Sequence, residues 1–551
     1  MHPLGLLPGE LYFAVFEELP EEDVQYTVLS LTRVFPHAAI PLYHLYHRLR
    51  VGTAEQAIAL NRHLRTLIRQ QRAAKDDSFH SPLAWIQHLS AESWTVDADV
   101  MLNVVALLPQ LKTLNVWIGP SNFSPEHLEE MFEEPFGNLE YLGLRFRPYV
   151  QKATYYQFLK GAYFDSTLLA LSRWPPHRLP ALSIVQDPFK IDPSLQSPPG
   201  TRQAFAQPIV FFRFENSLSV LLQSPAFSQS LNAFRLRVPF RPIARSLCSP
   251  PLFSNSSDGL PTHGPSLDIM DLSTSGVLEG EVDLLLVHYK DLKHLVLDDC
   301  SILRGDHREG EWAAMGKRCA MAGARRAKEC EKALTAWYEQ RVLAAPVGSD
   351  GAPAAMPSQT RRPRRGRRGL ATATISLRSR TPPRPGPGGP PSALIASPRE
   401  ALPKFKVLPP MPSLRTLCAT PSASVPPATY ATIRSEFEAG WAEGVAQLAV
   451  RRARLRESAR LGTKILRFTA GNEAAEPPDG PDLNGFFTYA ASHGLELIDS
   501  LDMSAFDTFG RASGDPKDIP IPVLCLSGNR NDMAHVEDCG HLVVDSTWPR
   551  L

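Results

Sequence analysis

An α/β fold class is predicted by three features of the 551-residue chain. A short apolar signature of strand type recurs through the middle of the chain, segments of helical spacing stand between its copies, and two amphipathic helical segments precede the first of them. Long irregular insertions interrupt the pattern, marked by 51 prolines that cluster rather than spread.

The first fifty residues read as a small helical unit. Pro8 suits a first helical position, where its missing N–H costs nothing, and Glu10 follows in the first turn, where the helix dipole favours a carboxylate. Leu11, Val15, Phe16 and Leu19 fall on one face at helical spacing, and Pro20 ends that helix. Glu21, Glu22 and Asp23 open a second helix, in which Val24, Val28 and Leu31, supported by Leu29, repeat with the same period. Pro36 and Pro41 then bend the chain. A unit of this size rarely buries enough apolar surface to be stable alone, so part of its apolar face is expected against something else.

At these residues the chain resembles an F-box, the docking motif of substrate receptors in SCF-type ubiquitin ligases. The resemblance lies in Leu7-Pro8-x-Glu10-Leu11, in Phe16 and Leu19, in the acidic turn before Val24, and in Leu29-Ser30-Leu31-Thr32-Arg33, where the family has a Val-Cys-Arg-like segment. Many members place an aromatic residue shortly after that Arg, whereas here Phe35 is followed directly by Pro36. The resemblance implies that Leu7, Pro8, Leu11, Phe16, Leu19, Val24, Leu29 and Leu31 contact a Skp-family adaptor of a cullin–RING ligase. The arrangement as a whole resembles fungal F-box proteins.

Residues 54–72 have a helical pattern and form a spacer. Beyond them the signature is an apolar residue, two variable ones, Leu or Phe, one variable, then an aliphatic. It appears at Leu111-x-x-Leu114, Leu139-x-x-Leu142, Leu179-x-x-Leu182, Leu231-x-x-Phe234 and Leu292-x-x-Leu295, with weaker copies at Ile86-x-x-Leu89 and Leu414-x-x-Leu417. In a leucine-rich repeat such spacing points alternate side chains of a short strand into a shared interior. Leu111, Leu114, Leu139, Leu142, Leu179, Leu182, Leu292 and Leu295 are therefore the expected core. Ser124 and Pro125 open a helix over residues 124–132, Ser as the cap and Pro at the first position. Later copies lie progressively further apart, so the predicted body is an irregular leucine-rich-repeat solenoid with long disordered insertions.

Between residues 186 and 264 the chain is rich in Pro and Ser around a strand-like segment at 209–214. Residues 309–343 form a charged amphipathic helix. From 344 to 402 the composition falls to Ala, Pro, Gly, Ser and Arg, which cannot bury enough to fold, and the Arg-rich tract 361–368 lies inside it. A second long helix at 432–462 carries Ile433, Phe437, Trp441, Val445 and Leu448 on one stripe and is expected to pack on the first. A strand at 465–468, a helix at 486–497 and a Pro-rich tail follow. The expected organisation is thus a helical unit at 1–52, a spacer at 53–80, the leucine-rich body at 81–305, a charged helix at 306–343, a linker at 344–402, and last repeat-like elements, helix and tail at 403–551.

Formal net charge is +1, so no global field calls for nucleic acid or a membrane. Seven cysteines, odd in number and without a CxxC pair, argue for reduced thiols, and no apolar run reaches membrane-spanning length. A cytoplasmic or nuclear protein is expected. No phosphate loop, dinucleotide fingerprint, GxSxG or HExxH is present, so no catalytic residue is assigned and no cofactor is expected. His44 and His47, beside Tyr43 and Tyr46, read as packing residues. His535, Cys539 and His541 form a close His/Cys cluster, but a zinc site needs a fourth ligand and a folded surround, and neither is evident from the sequence; no metal is assigned. The expected function is a non-catalytic substrate receptor whose body binds an unidentified protein. The alternatives are a protein-binding scaffold without a ligase, its helices merely capping the body, and a nuclear nucleic-acid-associated protein using the Arg tract.

Overall fold

A computed structural model describes residues 3–73, 82–148, 164–188, 210–249, 264–300, 302, 309–344, 404–420, 425–469, 485–498, 519–527 and 535–548. Ten strands make one sheet: β1 (Arg48–Val51), β2 (His88–Ala91), β3 (Thr113–Ile118), β4 (Tyr141–Phe146), β5 (Ala181–Gln186), β6 (Ala233–Arg237), β7 (Ile269–Asp271), β8 (His294–Leu297), β10 (Thr416–Ala419) and β13 (Val523–Cys525). They lie in chain order and every pairing is parallel. A separate three-stranded sheet, in the order β12-β11-β9, comprises β9 (Phe405–Val407), β11 (Lys464–Phe468) and β12 (Leu495–Leu497).

This sheet corrects the expected fold class. The chain is not a helical F-box domain followed by an irregular leucine-rich-repeat solenoid; it is a large all-parallel ten-stranded sheet alternating with helices, an α/β arrangement that is Rossmann-like in that alternation. Two features account for the difference. The insertions fall in the crossovers and leave the strands in one unbroken sheet, and β1 comes from residues assigned to the helical unit, so that unit and body share a sheet edge. Among the described residues the strand order never reverses, so they form no topological switch point of the kind at which open α/β sheets hold a ligand.

Strand register explains the core. Leu49, Leu89, Leu114, Leu142, Leu182, Phe234, Met270, Leu295, Leu417 and Leu524 are successive partners across all ten strands. Side chains alternate between faces with period two, so this row and the row two residues on point one way. The crossover helices cover that face: α4 (Ala54–Ala73), α5 (Ala98–Ala106), α6 (Pro125–Met131), α7 (Asp165–Ser172), α8 (Phe214–Gln223) and α9 (Glu279–His288) send Leu64, Met101, Leu128, Leu168, Leu218 and Leu285 into the same core. The eight leucines predicted as core are all at most 1% exposed. Helix α6 starts as its sequence predicts, with Ser124 and His127 each bonding the other's backbone. The strand-like stretch at 209–214 is not a strand among its described residues. The backbone N–H groups of Phe212 and Arg213 donate to the Asp165 carboxylate at 2.6 and 3.0 Å instead of to a sheet neighbour, and α8 begins at Phe214.

The charged helix of the sequence is two helices, α10 (Glu311–Ala320) and α11 (Ala322–Ala344), and α12 (Tyr430–Arg460) packs along the first. Approach is close because of glycine. A Cβ on Gly440 would sit 1.9 Å from the Ala313 carbonyl oxygen, and one on Gly316 would sit 2.2 Å from that of Phe437. Trp312 and Phe437 meet edge to face beside this contact, with Trp441 buried in the same core. A smaller core of Cys330, Leu334, Phe405, Leu466 and Phe486 joins α11, the small sheet and α13 (Phe486–Ser492). The segment expected at 486–497 is this short helix, ended by Gly494 at φ 66°, followed by β12. The expected linker lies outside the described residues beyond Ala344 and up to 403, as does the whole Arg tract 361–368.

Glu140 is exposed at the start of β4, whereas Lys112 and Lys293 are half-buried and Lys293 donates to Asp268 at 3.0 Å. Leu142→Ala should therefore cost roughly 2–5 kcal/mol of unfolding free energy in a denaturant titration, while Glu140→Ala stays within about 0.5 kcal/mol of the parent.

Candidate functional site

The N-terminal unit holds α1 (Gly9–Glu17), α2 (Glu21–Val34) and α3 (Tyr43–Tyr46). Its core is its own: Tyr12, Phe16, Val28 and Ile40 are buried, with Leu7, Leu19, Val24 and Leu31 packed half-buried around them. These helices reach the body through β1, which pairs with β2, through α3, where Tyr43 and Tyr46 meet Trp85 at ring separations of 6.4 and 6.2 Å, and through Gln25, which donates to the Arg48 carbonyl. His44 packs against Phe13 and Phe16 at 5.3 Å, and burial lowers its imidazole pKa.

Of the eight residues predicted to touch an adaptor, Phe16 is interior and Leu7, Leu19, Val24 and Leu31 belong largely to the unit's own packing. Pro8, Leu11 and Leu29 are exposed. Tyr12, not Leu11, takes the buried place one position further round α1, and its hydroxyl donates to the Leu4 carbonyl. Val15, placed by its spacing on the apolar face of the first helix, is 53% exposed, and side chains not singled out by the sequence are exposed as well: Phe13 at 42%, Tyr26 at 75% and Val34 at 66%.

The second face of the ten-stranded sheet is polar in its middle. Here Asp271 is fully buried and accepts from Arg235 Nε at 2.9 Å, from Arg237 Nη2 at 2.6 Å and from Ser273 Oγ at 2.7 Å. Burial alone would raise its carboxyl, but Arg237 and Arg235 outweigh burial and hold it well below the ordinary carboxylate range. The terminal helix α14 (Gly540–Thr547) crosses this face, and Trp548 after it lies 4.6 Å over Arg235 and 5.9 Å from the Tyr141 ring. A groove of about 620 Å³ remains beside it, lined by Arg48, His88, Tyr141, Asn232, Asp268 and Trp548. Near the far ends of the first strands, Arg145 stacks 4.5 Å over Trp117, Trp117 lies 4.8 Å from Trp94, and Arg147 sits 5.8 Å over Trp94.

At the last strand the tail's His/Cys cluster meets a fourth side chain. Cys525 of β13 lies with its Sγ 3.6 Å from His535 Nδ1; Cys539 Sγ is 3.8 Å from His535 Nδ1 and 3.8 Å from His541 Nδ1. The ligand atoms of all four fall within 4.8 Å of one another. Cys525, Cys539 and His541 are buried and His535 is half-buried. Both features missing from the sequence reading, a fourth donor and a folded surround, are thus present. The Asp298 carboxylate meets His541 Nε2 at 2.8 Å. Burial would depress the His541 imidazole, but Asp298, with Cys525 and Cys539, more than reverses that and pushes it up to about 11. The contact with Cys418, with help from His541 and His535, holds the Cys525 thiol far below its usual range, while burial pushes Cys418 well up. The signal for Cys525 was in the sequence: Ile521-x-x-Leu524-x-Leu526 repeats the strand signature and turns the residue between its last two apolar positions to the opposite face. All seven cysteines are free thiols, and no helix among the described residues is long and apolar enough to cross a membrane.

No protein-family model matches the chain, and no curated protein matches it.

Asp271→Ala removes the carboxylate that pairs with the half-buried Arg235 and Arg237, so it should cost roughly 3–5 kcal/mol, read by denaturant unfolding at neutral pH. Because the folded-state pKa of Asp271 is depressed, its stabilisation is complete above the ordinary carboxylate pKa and fades as pH falls toward the folded value; the gap between parent and variant should narrow in acid.

Proposed function

We propose that the chain is the substrate-recognition subunit of an SCF-type cullin–RING ubiquitin ligase, its N-terminal helices docking on a Skp-family adaptor and its body binding a protein substrate. The observation that carries this reading is the division of the N-terminal unit into a closed core and a surplus of apolar surface. Tyr12, Phe16, Val28 and Ile40 satisfy the interior, yet Leu11, Val15, Tyr26 and Leu29 remain exposed. Helices that served only to cap the body would turn those side chains onto it, and the attachment instead runs through β1, α3 and Gln25.

In this role the chain needs no nucleophile. Holding substrate lysines beside a charged ubiquitin-conjugating enzyme raises their effective concentration, and proximity supplies the acceleration. The Arg145, Trp117, Trp94 and Arg147 stack is the part of the body best suited to a protein partner, since Trp and Arg are the side chains that dominate interface energies. Work in the cytoplasm or nucleus follows from this reading.

The test is co-elution of the full chain with a fungal Skp-type adaptor at about micromolar concentration. Burying one Leu is worth ~1.5–3 kcal/mol, so Leu11→Glu combined with Leu29→Glu should weaken the complex about a hundredfold or more, with thermal unfolding unchanged because neither residue is interior. Failure of the parent chain to co-elute, or undiminished binding by the double variant, overturns the proposal and leaves a scaffold that binds protein without a ligase.

A further inference from the structure

We infer that Cys525, His535, Cys539 and His541 form a closed structural zinc site that fastens the C-terminal segment to the last strand of the sheet. Zinc–sulfur bonds of about 2.3 Å and zinc–nitrogen bonds of about 2.0–2.1 Å at tetrahedral angles require S···N edges of roughly 3.6 Å. Three S···N edges in the structure are 3.6, 3.8 and 3.8 Å. The contacts are thus spaced as the edges of a tetrahedral shell are, and three of the four side chains that make them are buried.

The orientation of the rings points the same way. His541 turns Nδ1 to the cluster and Nε2 to the Asp298 carboxylate, the outer partner that fixes the tautomer and raises the basicity of a metal-bound imidazole. His535 likewise presents Nδ1. Two thiolates and two imidazoles suit zinc among the divalent ions, and four protein donors fill a tetrahedral shell, which makes the site structural and leaves no position for substrate.

Backbone geometry is adapted to bring the donors together. Asp538 has a left-handed φ of 57°, directly before Cys539. Between Cys539 and His541, Gly540 presses on β10 so tightly that a Cβ would lie 2.4 Å from Thr416 Oγ1 and 3.0 Å from Cys418 Sγ. Cys418, the register partner of Cys525, stands beside the site without joining it. One donor belongs to the sheet and three to the tail, so the ion would hold α14, and with it Val544 and Trp548, against Tyr141, Ala233 and Val296 on the polar face.

The full chain, expressed without a histidine tag and purified without chelator, should contain one zinc per molecule by mass spectrometry of the metal. Exchange for cobalt(II) should give the visible spectrum of a tetrahedral site with thiolate charge-transfer bands. Cys539→Ser and Cys525→Ser should abolish stoichiometric metal, and Cys418→Ser should keep it. Since a ligand variant can fail to fold, Asp298→Asn provides a second arm: it should keep one zinc but lose it to a competing chelator about 10–100-fold more readily. A folded parent chain that retains no zinc and gives no tetrahedral cobalt spectrum overturns the inference, as does full retention of zinc by Cys539→Ser or a disulfide joining any two of Cys418, Cys525 and Cys539.

Discussion

The body depends on one unbroken row of apolar side chains, from Leu49 on the first strand to Leu524 on the last. Each member is paired in register with its neighbours, and each faces the layer of crossover helices. Because side chains alternate with period two, a strand that slipped by one residue would exchange its faces entirely, so the row fixes what both sides of the sheet display. It is this constraint, and not any local preference, that turns Arg235, Asp271, Cys418 and Cys525 to the opposite side. The buried ion pairs and the His/Cys centre are therefore by-products of the same alternation that builds the hydrophobic core.

The end of the sheet is closed by different means. Past β8 the neighbouring strand comes from much later in the chain, and the helices α10 and α12 bridge the interval. Their contact is set by glycines on both sides, Gly316 on one and Gly440 and Gly444 on the other, so backbone approaches backbone directly. A cross-helix pair, Lys317 with Glu443 at 2.7 Å, lies exposed at the rim and contributes little beside that packing.

Much of this was legible from residue spacing. Five strong copies of the apolar signature are β3, β4, β5, β6 and β8, and the two weaker ones are β2 and β10. Three strands went unread although they carry the same spacing. Met270 stands where Leu is usual in β7, Tyr46 opens the signature of β1 inside a segment already read as helical, and prolines at 520 and 522 disguise β13 as a loop. In the N-terminal unit Phe16 of the expected stripe is buried and Leu19 half-buried, but Leu11 and Val15 are exposed and Tyr12 takes the interior place, because period alone cannot rank two adjacent apolar faces. The spacing at Ile521, Leu524 and Leu526 gives the face of Cys525 but not its neighbours in the His/Cys centre. Cys525 and Asp298 reach it through strand neighbours, and that adjacency exists only once the sheet has formed.

β8 and β10 are hydrogen-bonded neighbours, yet the chain between them contains residues 345–403, outside the described structure. The piece before that interval holds the first eight strands with α10 and α11; the piece after it holds β10, β13, α12 and the tail. Each presents a raw sheet edge and a glycine-lined helix that fit the other's. Closure of this seam joins residues more than a hundred positions apart, so it adds high contact order to a sheet whose other pairings link successive strands, and its formation is expected late in folding.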